Sequence, residues 1–260
     1  MNSEQSFISF KNVWFGYNHR SKDIIKELSI DIYDQSITTI LGLNGSGKTT
    51  LLLLLLGIFP PNKGELIFWG KEKCSRIREK VNIGYVPQYE EIPFGYSVFE
   101  YVLLGRFPFV SLFGSPSDRD RKVVTQILCE LRISELRDLK LLKISGGELQ
   151  KVRIARVLAQ QPEILLLDEP TTHLDLKSKR SIQEIIINQK KQGKTIIFTT
   201  HEPSEAIYIA DYVLLMKKGE KAKYAIKDKL LTNENLSYFL EIPLEIIDTD
   251  NRKVIINKRN

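Results

Sequence analysis

The stretch GLNGSGKTT, Gly42 to Thr50, constrains this chain more than any other. It matches G-x-x-x-x-G-K-[ST], a pattern that means a phosphate cradle only where a strand runs in and a helix runs out. Both flanks are present: SITTILG is an apolar, β-branched strand segment, and the leucine run from Leu51 suits a helix from Lys48 to about Leu56. Gly45 and Gly47 let the backbone turn its N–H groups inward without side-chain obstruction. The helix start adds partial positive charge. Lys48 is placed to reach β- and γ-phosphates, and the Thr49 hydroxyl to bind Mg²⁺. A strand–loop–helix unit of this kind points to an α/β fold.

The rest of the chain repeats that alternation, and 260 residues suffice for one large α/β domain or a core with a smaller subdomain. SFISFKNV and ELSIDIY precede the loop as strand segments; Leu28, Ile30 and Ile32 alternate with Ser29 and Asp31, the pattern of a half-buried antiparallel strand. GELIFWG and VNIGYVPQ read as further strands. From about Pro93 to Lys143 the pattern turns helical, with SVFEYVLLGRF as one helix and SDRDRKVVTQILCELRI as a second. Ser117 and Asp120 have capping-box spacing, and Val123, Val124, Ile127, Leu128 and Leu131 form a core-facing stripe. After Ser145 come a helix closed by Pro162, the buried strand EILLLDEP, a helix ended by Gly193, and the buried strand KTIIFTTHE. Leu236 to Asn260 holds a short helix and two strands joined by a polar turn.

Composition narrows the setting. The formal charge of +6 is compatible with nucleic acid or the anionic inner face of a membrane. Cys74 and Cys129 are isolated, with neither metal-ligand spacing nor a disulfide framework, which fits a reducing cytoplasm. MNSEQSFISF lacks a basic start followed by an apolar stretch, so no secretory signal is expected. The longest apolar run, LLLLLLGIFP, falls well short of the ~20 residues that span a bilayer and reads as a buried helix.

The cradle needs partners to do chemistry, and ILLLDEP supplies them. Asp168 is the candidate to hold Mg²⁺ through the metal's water shell, and Glu169 to polarise an attacking water. A positioned general base contributes ~10²- to 10⁴-fold. Gln88, at the end of YVPQ, is placed to touch Mg²⁺ or the water and to report the γ-phosphate to the helical segment. His201, ending IIFTTH, is placed to hydrogen-bond the γ-phosphate. His19 and His173 have no such placement, and no transition-metal site is expected. A second anion-holding helix start is suggested by ISGGELQ, residues 144–150.

Tyr17 in WFGY, the phosphate loop, Gln88, ISGGELQ, ILLLDEP, TTHLDL and His201 follow one another as in the ATP-binding subunits of ABC transporters, which the chain resembles over almost its full length. It departs at Ile144, where Leu is usual, and at His173, where small residues are common. The resemblance implies an α/β P-loop NTPase core, a RecA-like mixed sheet with helices, joined to an N-terminal antiparallel β subdomain and an inserted helical subdomain. The implied division within one domain is 1–92 and 144–235 for the core with its β subdomain, 93–143 for the helical subdomain and 236–260 for a C-terminal extension.

The resemblance also assigns roles. Tyr17 would stack on adenine, while Gly42, Asn44, Gly45, Ser46, Gly47, Lys48, Thr49 and Thr50 hold ATP. Thr49, Gln88 and Asp168 would bind Mg²⁺; Glu169, His201 and Lys48 would act in hydrolysis. Ser145, Gly146, Gly147 and Glu148 would close over ATP held by a second copy, with Asp175 shaping the shared interface. Implied partners are that second copy, an integral membrane permease and a substrate-binding protein, with the chain on the cytoplasmic face of the membrane and no nucleic acid. EYVLLGRFPFVSLFGSPSDRDRKVV, PTTHLDL and the tail are similar to importers of iron-siderophore, haem and cobalamin; related importers carry molybdate, zinc or manganese. The alternatives are a soluble ABC-type ATPase acting on nucleic acid or the ribosome, which usually needs a coiled-coil insertion or a second cassette, and a non-enzymatic switch, against which Glu169 argues.

Overall fold

A strand that is apolar at every position must be covered on both faces, and the four residues of β6 (Ile164–Leu167) are all buried. In the computed structural model, which describes residues 6–17, 23–68, 81–92, 94–111, 114–249 and 252–257, β6 lies inside a six-stranded sheet. Its order is β5 (Ile83–Val86), β6, β7 (Thr195–Thr200), β3 (Ile37–Leu41), β8 (Tyr212–Leu215) and β9 (Lys223–Ile226). The first five strands are parallel, and β9 pairs antiparallel with β8. The two-residue period splits the core. Leu165 and Leu167 face one hydrophobic cluster while Ile164 and Leu166 face another. Each such burial is worth about 1.5–3 kcal/mol.

The second cluster is roofed by a three-stranded antiparallel sheet, β2 (Ile25–Tyr33), β1 (Ser6–Phe15) and β4 (Lys63–Phe68), with α1 (Lys48–Leu55) between the two sheets' inner faces. The expected alternation in β2 holds: Leu28, Ile30 and Ile32 are buried, Ser29 and Asp31 exposed. This is the antiparallel β unit added to a mixed P-loop sheet that the motif order implies.

The first cluster is covered by helices. α2 (Val98–Leu103) and α3 (Asp118–Glu130) pack on α4 (Gly146–Leu158), which leads back into the sheet. Ser117 and Asp120 form the expected capping box, and Ser97 with Glu100 forms another at α2. SVFEYVLLGRF does not stay α-helical; residues Leu104–Phe109 tighten into a 3₁₀ turn. Pro108 withholds the N–H that an α-helix would use there. Gly105 meanwhile lies so close to α4 that a Cβ would sit 2.0 Å from the Arg156 carbonyl oxygen.

α5 (Leu176–Lys191) ends at Gly193, whose φ of +86° suits the left-handed cap. Beyond β7 come α6 (Pro203–Ile209), α7 (Lys227–Leu230) and α8 (Asn233–Leu240), then the antiparallel pair β10 (Leu244–Thr249) and β11 (Arg252–Asn257). α8 packs Leu236 and Phe239 against Leu41, Val213 and Leu215 of the main sheet, which ties the tail to the core. His19, Cys74, the end of GELIFWG at 69–70 and the polar turn at 250–251 lie outside the described residues.

Candidate active site

Ligands of open parallel sheets bind outside the carboxyl ends of the strands, and the motif residues collect there. Gly42 follows β3, Gln88 lies just past β5, Asp168 and Glu169 follow β6, and His201 follows β7. Lys48 opens α1 behind Gly47, whose φ of +104° belongs to the left-handed region. A Cβ on Gly47 would also lie 2.7 Å from the Ile24 side chain. The loop is therefore closed by backbone geometry that few other residues tolerate.

Glu169 is the hub. Its Oε1 lies 3.0 Å from Lys48 Nζ, with both side chains only 5% exposed. Its Oε2 accepts from the Thr172 hydroxyl at 2.9 Å and the Gln88 amide at 3.3 Å, and lies 3.1 Å from His201 Nδ1. Lys48 Nζ also donates to the carbonyls of Gly42 and Leu43 at 2.9 and 3.2 Å. Burial by itself would push the Glu169 carboxyl up, but Lys48, Thr172 and His201 together hold it below the ordinary carboxylate range. It is thus an anion in a shielded place, and as long as Lys48 stays beside it that pairing weakens it as a proton acceptor. Its backbone φ of +46° is left-handed for a non-glycine residue, which costs about 1–2 kcal/mol. Such strain persists where surrounding contacts over-determine the conformation.

Asp168, 1% exposed, has its own partners. Thr49 Oγ1 donates to Oδ2 at 2.8 Å and the Tyr85 hydroxyl to the same oxygen at 3.5 Å. Burial, followed by the charge of Asp168, pushes the Tyr85 phenol up, so it stays a neutral donor. Thr49 and Asp168 are hard oxygen donors at one point, the donor set that suits Mg²⁺. Ser46 Oγ, in the same loop, is buried and makes no hydrogen bond with the described residues; a phosphate oxygen would satisfy it. Asn44 and Gly45 are exposed at the loop's crest. Tyr17 is half exposed and its hydroxyl lies 3.0 Å from Thr50 Oγ1. Its ring stands edge-on to Phe15 and Phe59.

Ser145, Gly146, Gly147, Glu148 and Asp175 form a separate group. Ser145 and Glu148 cap α4 reciprocally: Ser145 N and Oγ each donate to Glu148 Oε2 at 2.8 Å, and Glu148 N donates to Ser145 Oγ at 3.3 Å. Asp175 caps α5, accepting from Ser178 N at 2.9 Å and Ser178 Oγ at 2.8 Å. These capping bonds, the backbone donors first, hold both carboxyls below their ordinary values. A Cβ on Gly147 would meet Ser178 Oγ at 2.2 Å, so that glycine is where α4 and α5 touch; a Cβ on Gly146 would meet nothing within 4 Å. One glycine of the pair is explained by packing within the chain and the other is not.

The sequence profile of the ABC transporter family matches residues 25–172. The chain belongs to that family. The ABC ATPase is 36% identical over 248 residues to the iron(3+)-hydroxamate import ATP-binding protein FhuC of Bacillus subtilis, covering 94% of this chain and 91% of the relative. It is 35% identical over 238 residues to the molybdate import ATP-binding protein MolC of Haemophilus influenzae, covering 91% and 89%. Its fold matches a solved inward-facing metal-chelate type ABC transporter with a TM-score of 0.85, at 32% identity and 96% coverage of both chains. The ABC ATPase binds and hydrolyses ATP, and its relatives speak for transport rather than for work on nucleic acid or the ribosome. No helix among its described residues is long and apolar enough to cross a membrane.

Sequence reasoning assigned no role to Thr172 and Tyr85, the partners of Glu169 and Asp168 described above, and it overlooked a third residue of the site as well. Thr199 Oγ1 donates to Asp168 Oδ1 at 2.6 Å and accepts the Glu169 N–H at 2.8 Å. One hydroxyl thereby fixes both acidic residues of the ABC ATPase. The signal was a polar residue inside a strand that otherwise reads as core, two positions before His201.

Proposed function

We propose that this chain is the ATPase subunit of an importer in which two copies, arranged head to tail, close around ATP and drive a separate membrane permease. The observation that carries the reading is the Glu169 carboxylate, on which Lys48, Gln88 and His201 converge from three other segments at 3.0–3.3 Å. Tyr17 stacks on the adenine, and Asn44 to Thr50 hold the phosphates. Incoming phosphates draw Lys48 away from Glu169, which frees that carboxylate to take a proton from water. His201 and Gln88 then turn toward the γ-phosphate. Thr49, Gln88 and Asp168 are the residues that would hold Mg²⁺, which supplies charge against the β- and γ-phosphate oxygens.

Ser145, Gly146 and Gly147 face the nucleotide of the second copy, with Glu148 orienting Ser145 and Asp175 at the shared interface. The open space above Gly146 supports close approach by another molecule. A helix end contributes only ~0.3–1 kcal/mol toward an anion at an exposed site, so this contact is readily made and released. Closure then follows from the closed pair's preference for ATP over ADP, since a ligand shifts an equilibrium only by its differential affinity.

The permease docks on the helical segment, 93–143, and on the cleft that joins it to the core. That cleft has a volume of 790 Å³ and is lined by Leu56, Ile58, Val81, Tyr85 and Phe109 among others. The chain sits peripherally on the cytoplasmic face of the membrane, beside a substrate-binding protein of the same system. The cargo is an iron complex, haem, cobalamin or a metal, in keeping with the molybdate and iron(3+)-hydroxamate relatives. Two measurements test the sandwich. Glu169→Gln should form a stable dimer with ATP on a sizing column, and cysteines at Ser145 and Asn44 should crosslink between chains only with ATP. A monomer at saturating ATP, with crosslinks confined to single chains, defeats it.

A further inference from the structure

Two residues beyond Gln88, Glu90 is clamped by side chains of two helices. Its Oε1 pairs with Arg156 Nη1 at 2.7 Å, and Arg156 Nη2 donates to Oε2 at 3.0 Å. The Tyr101 hydroxyl donates to the same Oε2 at 3.0 Å. Arg153 Nη2 donates to the Glu90 backbone carbonyl at 2.7 Å. The Glu90 and Arg156 side chains are 19% and 23% exposed, and Tyr101 is 2% exposed. The Arg156 guanidinium also lies over the Tyr101 ring, 4.9 Å from its centroid. A two-pronged arginine–carboxylate pair fixes orientation as well as distance, and a half-shielded position keeps it from being screened as a surface pair is.

Arg153 and Arg156 belong to α4, the helix that begins at Ser145; Tyr101 belongs to α2. At 1.5 Å per residue, Arg156 stands about 16 Å along the axis from Ser145. A helix transmits displacement over that length as a rigid rod. One end of the connection therefore meets Gln88, whose amide touches Glu169, and the other carries the Ser145-Gly146-Gly147 turn.

We propose that Glu90 is the positioning residue that locks the Gln88 segment to α4, so that the amide facing a chain's own nucleotide and the helix start facing the partner's nucleotide move as one body. The part that concerns the partner rests on the sandwich reading above. Glu90 is not itself a catalytic residue; it acts through Gln88 and α4. Capture of the γ-phosphate at Gln88 is passed directly to the turn that must close on the opposite copy, and to α2 in the helical segment.

The test uses the full chain carrying Glu169→Gln, with and without Glu90→Gln, Arg156→Gln, or both. Sedimentation gives the ATP concentration for half-dimerisation. Each single change is expected to raise it about tenfold, equivalent to ~1.4 kcal/mol per bound nucleotide, and the double change no further, since both break one link. Nucleotide affinity of the dilute monomer should stay within about twofold, because no cradle residue is altered. Equal dimerisation of the Glu90→Gln chain, or additive losses in the double variant, overturns the proposal. A second readout does not need the dimer. In dilute protein, ATP should slow amide hydrogen exchange in α4 of the Glu169→Gln chain and leave it unchanged once Glu90→Gln is added; equal slowing in both overturns the proposal. If Glu169→Gln alone stays monomeric with ATP, the sandwich fails, and the exchange measurement still decides Glu90.

Discussion

Gly146→Ala separates two accounts of the Ser145 turn, because stability and activity should move in opposite directions. Gly146 is the first residue of α4, and a Cβ there meets nothing within 4 Å. Within one chain, alanine costs no packing. It gains helix propensity of up to ~1 kcal/mol over glycine, and its smaller unfolded-state entropy belongs to the same range, about 0.4–1 kcal/mol. For a chain of this size that raises the melting temperature by about 1–4 °C. In a sandwich the added methyl stands where the partner's γ-phosphate approaches, and a displacement of about 1 Å at a reacting group can cost ~10²-fold in rate. Differential scanning fluorimetry and steady-state ATPase assays on one preparation read both effects. Gly147→Ala is the control: its Cβ would lie 2.2 Å from Ser178 Oγ and 2.7 Å from Ser178 Cβ. It should destabilise by about 1–3 kcal/mol through overpacking. Ser178→Ala leaves the Cβ clash in place, whereas Ser178→Gly should relieve it. A Gly146→Ala protein that is more stable and hydrolyses ATP at the wild-type rate would refute the closure of this turn on a second nucleotide and leave only a capped helix.

Lys48→Ala should weaken ATP binding by about a hundredfold or more, ~2.7 kcal/mol, because its ammonium is the cradle's side-chain cation; fluorescent-nucleotide titration that finds affinity within twofold removes that role. Thr199→Val keeps the shape but leaves the buried Glu169 N–H without its 2.8 Å acceptor, a loss of about 1–3 kcal/mol. Turnover should fall roughly tenfold at that magnitude, the Mg²⁺ requirement should rise, and Thr199→Ser should restore both; an unchanged Mg²⁺ titration counts against Thr199 as the brace of Asp168. The Asp120 carboxyl is held at about 2, first by the Ser117 hydroxyl and then by the Arg106 guanidinium 2.8 Å away. Its folded value lies below the unfolded value of ~3.9, so its stabilisation is present above that pH and is lost as pH falls toward 2. Asp120→Asn should lower the melting temperature at neutral pH and flatten its decline across that acid window; an unaltered decline would show that Asp120 does not drive it.

The phosphate loop, the capped α3 and the alternation in β2 were legible because each is a local event. A glycine sets a backbone angle, a Ser and an Asp three residues apart satisfy each other, and a two-residue period exposes one face. Gln88, Asp168, Glu169 and His201 were legible for a related reason: each ends an apolar run, and apolar runs end at the edge of the sheet. The 3₁₀ turn at Leu104–Phe109 was not, since its apolar spacing is helical and only the contact of Gly105 with α4 and the placement of Pro108 break it. Strand β8 and its neighbour β9 escaped notice as well: β5 and β6 are just as short, but each runs into a motif residue that marks its end, and β8 and β9 do not.

By itself the sequence determined that this chain folds around a phosphate cradle with two carboxylates at a strand end, because those features arise from residues adjacent in the chain. Only the tertiary structure decided that Glu169 gathers Lys48, Gln88 and His201, that Thr199 braces both acidic residues, and that Glu90 fastens the Gln88 segment to α4. Those partners come from segments far apart in the chain, and no residue type announces which other it will meet. A hydrogen bond reaches about 3 Å in space, and nothing in local spacing encodes which distant side chains the fold brings within that reach.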